Sequence, residues 1–444
     1  MRLSTCQQYA HEIFNAALKA VHPYHLIRDQ IKRHKDQLIL PDKSKLDLKS
    51  FDHIYIIGTG KSAAPMARAM EEILTDVLTG GKIIVKYGHT DKLDKIVQYE
   101  AGHPLPDENT LVASRQLLVY TTHLTSRDLV IVLLSGGGSA LLEYLPTEIN
   151  LNELKELIQL LIQSGATISE INCIRKHVSM VKGGQLAWFI APARCISFIL
   201  SDVLGDDPAV IASGPTAADP STYTEAIHIL QKYQIFTKVP ASIRTHLEKG
   251  YSIQIKETPK PGDKIFERVQ NFLIGNNTLA LQAAEKKAVK LGFQTQINTS
   301  KIHEPVQKVA DKISGIITEL QEKSKPADKP VCVLLGGEPT VKVSGQGTGG
   351  RNQHLALLVA HLLRDNTKPY LFMSCGTDGT DGPTDAAGAL VTSQTITQAA
   401  KKDLNPQDFL NNYDSYHFFD PLDLLIKTGP TLTNVMDIML VMVP

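Results

Sequence analysis

The stretch from Gly336 to Leu355 constrains this chain more than any other, because it sets six glycines and one arginine between an apolar run and a helical period. Residues 331–335 (Val-Cys-Val-Leu-Leu) read as a buried strand, and residues 352–363 repeat apolar side chains at helical spacing. Gly345, Gly347, Gly349 and Gly350 allow a tight turn and a close approach of backbone to ligand, and Arg351 falls where the helix begins. Helix-end amides, the helix dipole and a guanidinium all attract anions. The plain alternative is a glycine-rich hairpin carrying one surface arginine.

The same plan recurs along the chain. His53 to Ile57 is strand-like, Gly58-Thr-Gly-Lys-Ser62 turns it, and Ala63 to Leu74 reads as a helix. Further strands are expected at 82–86, 128–134 and 195–200, with helices at 107–120 and 151–164 between them. A second series has strands near 271–274, 331–335, 370–374 and 438–443, and helices near 278–290, 304–322 and 352–363. Strands alternating with helices predict an α/β protein with mostly parallel sheets. At 444 residues there is too much chain for one ordinary core. The proline-rich, charged tract 238–263 divides it into expected domains 1–240 and 264–444, with a ligand-binding cleft at the carboxyl ends of the strands. Residues 34–50 read as a polar linker, and Glu322 to Pro330 as a solvated loop.

Charge excludes some functions. The 46 basic and 46 acidic residues cancel, so no global field favours nucleic acid or an anionic membrane. The 5 cysteines are scattered without a Cys-x-x-Cys pair, which encodes neither a disulfide framework nor a zinc ribbon. No apolar run approaches the ~18 residues of a membrane span, and residues 1–14 have no apolar signal core, so a cytoplasmic protein is expected.

Two further glycine turns carry candidate chemistry, making three with the one at 345–350. Gly58, Gly60 and Ala63 fit the dinucleotide pattern G-x-G-x-x-G/A, but residues 82–88 hold no acid for a ribose, so NADP with Lys86 on its phosphate is the weaker survivor. A P-loop is excluded by Tyr55. An anion site with Lys61 as its point charge is left. Ser135-Gly-Gly-Gly-Ser139 follows the strand 128–134. Leu141 excludes a nucleophile elbow, and the amides of Gly136, Gly137 and Gly138 with two hydroxyls suit a carboxylate or phosphate. Arg175-Lys-His177 and Lys182-Gly-Gly184 add positive charge, which is read as part of the ligand site rather than as a solvated helix end. Asp202, Asp206 and Asp207, and the acidic turn 376–382 that holds Asp378, follow strands, where one or two carboxylates can share a hard cation with phosphates; Asx-turns are the bland reading.

Together these motifs resemble the glycerate 2-kinase class whose C-terminal part is called the MOFRL domain. Beyond the three turns, the matching blocks are Gly102-His-Pro-Leu-Pro-Asp107, Ser201-Asp-Val203, Gly205-Asp206, Ile211-Ala-Ser-Gly-Pro-Thr216, Ile274-Gly-Asn-Asn277, Gly336-Gly-Glu338, Gly349-Gly-Arg-Asn-Gln353, Asp381-Gly382, Ala386-Ala-Gly388 and Gly429-Pro-Thr431 with Thr433-Asn434. The resemblance implies two Rossmann-like domains with an interdomain cleft, and transfer of phosphate from ATP with Mg2+ to D-glycerate, giving 2-phosphoglycerate. It implies catalytic roles for Lys61 and Arg351 and substrate contacts from Ser135 to Ser139 and at Arg175. Nucleotide contacts are expected at Gly58, Gly60, Asn276, Asn277, Gly347, Gly349 and Gly350, and metal contacts at Asp202, Glu338 or Asp378. A monomer or homodimer is expected, with no nucleic-acid or membrane partner.

Two positions depart from the family pattern: His354 stands where glutamate usually follows Arg-Asn-Gln, and Leu432 where glycine stands in the last turn. A leucine resists the positive φ such a turn takes. An NADPH-dependent hydroxypyruvate reductase, a kinase for another hydroxy acid and a non-enzymatic metabolite sensor are the alternative readings.

Overall fold

The computed structural model describes residues 2–323 and 329–444. The chain divides into two compact units, Pro23–Ile274 and a second formed by residues up to His22 together with Gly275–Pro444. The break therefore lies at the end of a strand, outside 238–263. That tract lies inside the first unit and contains the helix Ala241–Tyr251, which buries Ile243 and Leu247. The N-terminal helix Leu3–Ala20 belongs with the far end of the chain. Its buried stripe of Cys6, Ala10, Ile13, Phe14 and Ala17 packs on the helix Asn277–Lys290, where Ala280, Ala284 and Ala288 make a flat seam. Of the expected loop 322–330, residues 324–328 lie outside the described residues.

The stretch read as a polar linker holds a three-stranded meander, β1 (Lys32–His34), β2 (Gln37–Ile39) and β3 (Lys45–Asp47). Its strands are too short to show alternation, and lysines take the left-handed turn positions (Lys35 φ 56, Lys43 φ 70) where glycine or asparagine would have signalled a hairpin.

The first unit is built on β4 (His53–Thr59), β5 (Gly80–Lys86), β6 (Ile96–Ala101), β7 (Asp128–Leu134), β8 (Arg194–Leu200) and β9 (Val269–Gly275), in the order β6-β5-β4-β7-β8-β9. The pairings β5–β6, β4–β5, β4–β7 and β7–β8 are all parallel. Every residue of β7 is buried, as a strand covered on both faces requires. Strand order reverses between β4 and β7, and loops leaving such a reversal part to open a crevice. Gly60-Lys61-Ser62 and Ser135–Ser139 emerge there.

The second unit's sheet comprises β10 (Gln294–Ile302), β11 (Val331–Gly337), β12 (Leu371–Gly376), β13 (Gly388–Thr392), β14 (Leu425–Ile426) and β15 (Asp437–Val443), in the order β10-β11-β15-β12-β13-β14. Here the expectation of a mostly parallel sheet is corrected. Only β10–β11 is parallel, and β11–β15, β12–β15, β12–β13 and β13–β14 are antiparallel. The last strand, buried throughout, slots between β11 and β12, and β13 returns beside β12 without the helical crossover that a parallel partner needs. Among the described residues, no helix is long and apolar enough to cross a membrane.

Candidate active site

In the first unit the two predicted turns are one structure. Gly60 has φ +124, and a Cβ there would strike the Ser135 hydroxyl, so only glycine fits. The Ser135 amide donates to the Thr59 carbonyl (3.1 Å), the Lys61 amide to the Gly136 carbonyl (2.9 Å), and the Ser62 amide to Ser135 Oγ (3.0 Å). Gly137, at φ +82, leaves the backbone bare beneath a histidine and the lysine stem. A Cβ would come within 2.9 Å of His103 Cδ2 and 3.4 Å of Lys61 Cγ. His89 Nδ1 lies 3.1 Å from the Lys61 carbonyl oxygen. Gly58 serves packing instead, since a Cβ in the middle of β4 would press on the Leu133 carbonyl.

Beyond Gly138, Ser139 Oγ pairs with Ser213 Oγ at 2.7 Å, and Ser213 in turn donates to Asn172 Oδ1 at 3.1 Å. Arg175 donates from Nη2 to the Ser139 carbonyl (2.7 Å), while its buried Nε has no partner among the described residues. Burial lowers the pKa of this guanidinium and Glu143 works against that. Its neighbours take another course from the one expected. Lys176 pairs with Asp219 at 3.1 Å, His177 with Glu257 at 3.0 Å, and Lys182 with Glu143 at 2.8 Å, all three cations buried. Those charges are committed inside the protein, not offered to a ligand. The spacing of Arg175-Lys-His177 on a helix could not reveal this, because the acids come from other segments.

In the second unit Arg351 opens the helix Arg351–Leu362. It grips Asp437 with two bonds, Nε to Oδ2 at 2.6 Å and Nη2 to Oδ1 at 2.9 Å, and reaches Glu338 through Nη1 at 2.6 Å. Asp437 is wholly buried, whereas a third of the Arg351 side chain is exposed. Burial works against the charge of Arg351, yet Asp437 and Glu338 hold its pKa above the ordinary value. Glu338 is pushed up by burial and by Asp437 and Asp378, with Arg351 opposing.

The helix amides predicted to be free for an anion are occupied. The buried Asp381 carboxylate accepts from the Asn352 amide at 3.1 Å and the Gln353 amide at 2.8 Å. Burial raises Asp381 to about 6 although those amides favour its charge. The glycines of the preceding loop accommodate protein as well. The Gly347 amide donates to the Asn412 carbonyl (2.9 Å), the Thr348 amide to Asp414 Oδ1 (2.8 Å), and a Cβ on Gly350 would overlap Asp381. Even so, Gly347, Gly349, Gly350, Arg351 and Asp381 line a cavity of about 270 Å3. Its wall includes His354 stacked on Tyr413 (4.7 Å between ring centroids, 6° between planes). Two buried polar atoms on lining residues, His354 Nδ1 and Ser415 Oγ, have no partner among the described residues. Burial lowers His354 to about 4, so the imidazole is neutral near pH 7.

Of the other predicted contacts, Asn276 caps the helix Asn277–Lys290 by accepting from the Leu279 amide. Asn277 is buried and donates to the Val435 and Asp437 carbonyls (2.8 and 3.0 Å), which fixes β15 rather than presenting an amide to a nucleotide. Glu338 and Asp378 feel one another electrostatically, whereas Asp202 lies in the first unit beyond β8. No cluster of three or more metal-ligating side chains exists among the described residues. Sequence reasoning gave no role to Asp437, Asp381, His103 or Asn172. Asp437 did carry a signal, a charge opening an otherwise apolar strand.

A doubly wound sheet carrying laced glycine turns, joined in one chain to a mixed sheet with a buried acid–arginine clamp, defines a class with family counterparts. Residues 9–248 match a domain of unknown function (DUF4147) and residues 331–437 match the MOFRL family. The glycerate 2-kinase of Pyrococcus horikoshii is 39% identical over 428 residues, 96% of this chain and 95% of that protein. The D-glycerate 2-kinase of Thermotoga maritima is 39% identical over 416 residues, 93% and 96% of the two. A crystal structure of glycerate kinase from Thermotoga maritima superimposes with a TM-score of 0.87 at 37% identity, covering 99% of this chain and 100% of that one. A relative from Agrobacterium vitis, 37% identical over 390 residues (87% and 86% of the two), is named a putative hydroxypyruvate reductase. This chain belongs to the glycerate kinase family.

Proposed function

We propose that the chain transfers the γ-phosphoryl group of ATP to the 2-hydroxyl of D-glycerate, releasing 2-phosphoglycerate and ADP. Arg351 carries this reading: a guanidinium held by the buried Asp437 yet one-third exposed presents fixed positive charge to a ligand, as stabilising a phosphoryl group in flight demands. The names of the relatives support the substrate.

In this mechanism the glycerate carboxylate rests on the 135–139 turn, whose amides and hydroxyls suit an anion, with Arg175 behind Ser139. The 2-hydroxyl oxygen bonds to the γ-phosphorus as the bond from that phosphorus to the ADP oxygen breaks. The hydroxyl proton passes to the imidazole of His103, which lies over Gly137 beside Lys61. Lys61 on the first unit and Arg351 on the second each supply positive charge of the kind a phosphoryl group takes. Glu338, already paired with Arg351, and Asp378 offer the carboxylate oxygens that a hard divalent cation takes. Magnesium, when bound there, would supply charge neutralisation on the phosphate oxygens.

Phosphorus NMR of the protein with ATP, magnesium and D-glycerate tests the proposal. The 2-phosphoglycerate signal is expected. A 3-phosphoglycerate signal would refute the regiochemistry, and no turnover with D-glycerate would refute the substrate.

A further inference from the structure

A larger cavity, about 830 Å3, lies within the first unit and shares no lining residue with the turns around Lys61. It opens beside the helices Gln185–Ile190 and Ala241–Tyr251, with Trp188, Phe189, Met180 and Tyr223 among its walls. Its volume is that of a pocket for an organic molecule of modest size. Its polar groups indicate which kind. Lys249 and Lys256 both line it, and neither makes an ion pair among the described residues. The Lys256 ammonium sits 4.2 Å from the centroid of the Trp188 ring, a cation resting on an aromatic face in place of an anion. Glu148 is the one acid in the lining, so the two lysines leave the balance positive. Tyr223 is 5% exposed, and its hydroxyl has no hydrogen-bond partner among the described residues. His246, also in the wall, is tied by Nε2 to the His177 carbonyl (3.0 Å), and burial lowers its pKa.

We infer that this cavity binds a small aromatic anion of the aryl carboxylate or aryl sulfonate class. The ring of such a ligand lies against Trp188 and Phe189, its charge draws Lys256 off the indole and meets Lys249, and the Tyr223 hydroxyl is free to donate to it. A neutral hydrocarbon would gain nothing from the two lysines. A polyanion with no ring would leave the aromatic wall wet.

Trp188 is the sole tryptophan of the chain and reports on its own cavity. The full chain, titrated with 8-anilinonaphthalene-1-sulfonate while tryptophan emission is followed, is expected to show saturable quenching with one site. The exposed double variant Lys249→Glu/Lys256→Glu should bind the probe about tenfold more weakly or worse. Ala241→Phe, which fills the mouth from an exposed position, should do likewise. Circular dichroism should be unchanged in both. Equal affinity in the wild type and the charge-reversed variant would overturn the assignment, as would quenching that never saturates. ATP should leave the bound probe in place, and competitive displacement by ATP would give the cavity to the nucleotide and overturn a separate site.

Discussion

In the first unit Lys176, His177 and Lys182 are shut in with Asp219, Glu257 and Glu143, whereas in the second unit Arg351 is shut in on one side only. Lys182 and Glu143 are each about 1% exposed, while Arg351 keeps a third of its side chain open against an Asp437 that has none. A pair closed on both sides can only hold the fold together, and burying two charges is a weak route to stability. A cation held by a buried acid, paired with the half-exposed Glu338 and still one-third open is preorganised for a charge that arrives during a reaction. Two clusters of similar composition thus differ in what they can do, and exposure of the cation is the distinguishing quantity.

That contrast fails or stands first at Arg351. Arg351→Ala should lower kcat with D-glycerate by about 10³-fold or more, the scale of a lost arginine in phosphoryl transfer. Arg351→Lys should recover little, since a lysine cannot grip Asp437 with a two-pronged fork. Wild-type turnover in either variant would mean that the open face of Arg351 does nothing.

The closed cluster should respond in stability alone. Lys182→Met strands Glu143 in the interior and should cost about 3–5 kcal/mol in urea unfolding. The double change Lys182→Met/Glu143→Leu should recover most of that. The kcat of the folded fraction should hold in both variants. A specific loss of turnover in the stable double variant would show that this pair also belongs to the chemistry.

Titration of His177 sharpens the comparison. Burial opposes its charge, but the Cys173 carbonyl and Glu257 raise it to about 9. A pKa above the unfolded value near 6.5 means that the stabilisation is fully present below about pH 6.5 and is lost as pH rises through 9. Lys182 acts in the opposite sense, because burial lowers it to about 8 despite Glu143, so the unfolded chain holds its proton longer and stability is regained above pH 8. The stability difference between wild type and His177→Gln isolates the first effect. It should shrink by about 3 kcal/mol from pH 6 to pH 9. A difference that stays flat across that range would mean the imidazole is buried neutral.

Much of this was legible in the sequence where local pattern decides structure. β7 coincides with the apolar run 128–134, and the helix expected at 352–363 begins at Arg351, one residue early. Partner choice was not legible. Nothing local says that Asp437 arrives from the last strand to hold Arg351, or that Asp381 fills the helix amides that looked open to an anion. β10 escaped because its outer positions are polar and half-exposed at the sheet edge, Gln-Thr-Gln-Ile-Asn. The glycines from 345 to 350 read, by spacing alone, as making room for a ligand. They also make room for residues 412–415, a contact between segments that no spacing rule contains.

The smallest effect concerns the run into β15. Leu432 holds φ 60, the left-handed region, and Met436 holds φ 68. A left-handed leucine costs roughly 1–2 kcal/mol, and Leu432→Gly would remove that strain while losing a half-buried side chain and adding unfolded-chain entropy. A net gain of about 0.5 kcal/mol in unfolding free energy is expected. Whether the strain also serves the clamp depends on what anchors the loop. Thr431 Oγ1 donates to the Thr377 carbonyl at 2.5 Å, Thr377 Oγ1 donates to the Met436 carbonyl at 2.6 Å, and the Val435 amide donates back to Thr377 Oγ1 at 2.8 Å. These bonds, with Asn277 on the Asp437 carbonyl, tie the segment without help from residue 432. Leu432→Gly should therefore leave kcat within about twofold, inside the range of a surface change. If kcat instead fell about tenfold while stability rose, the strained leucine would be part of what holds Asp437 behind Arg351, and the open side of that arginine would depend on backbone strain as well as on its buried partner.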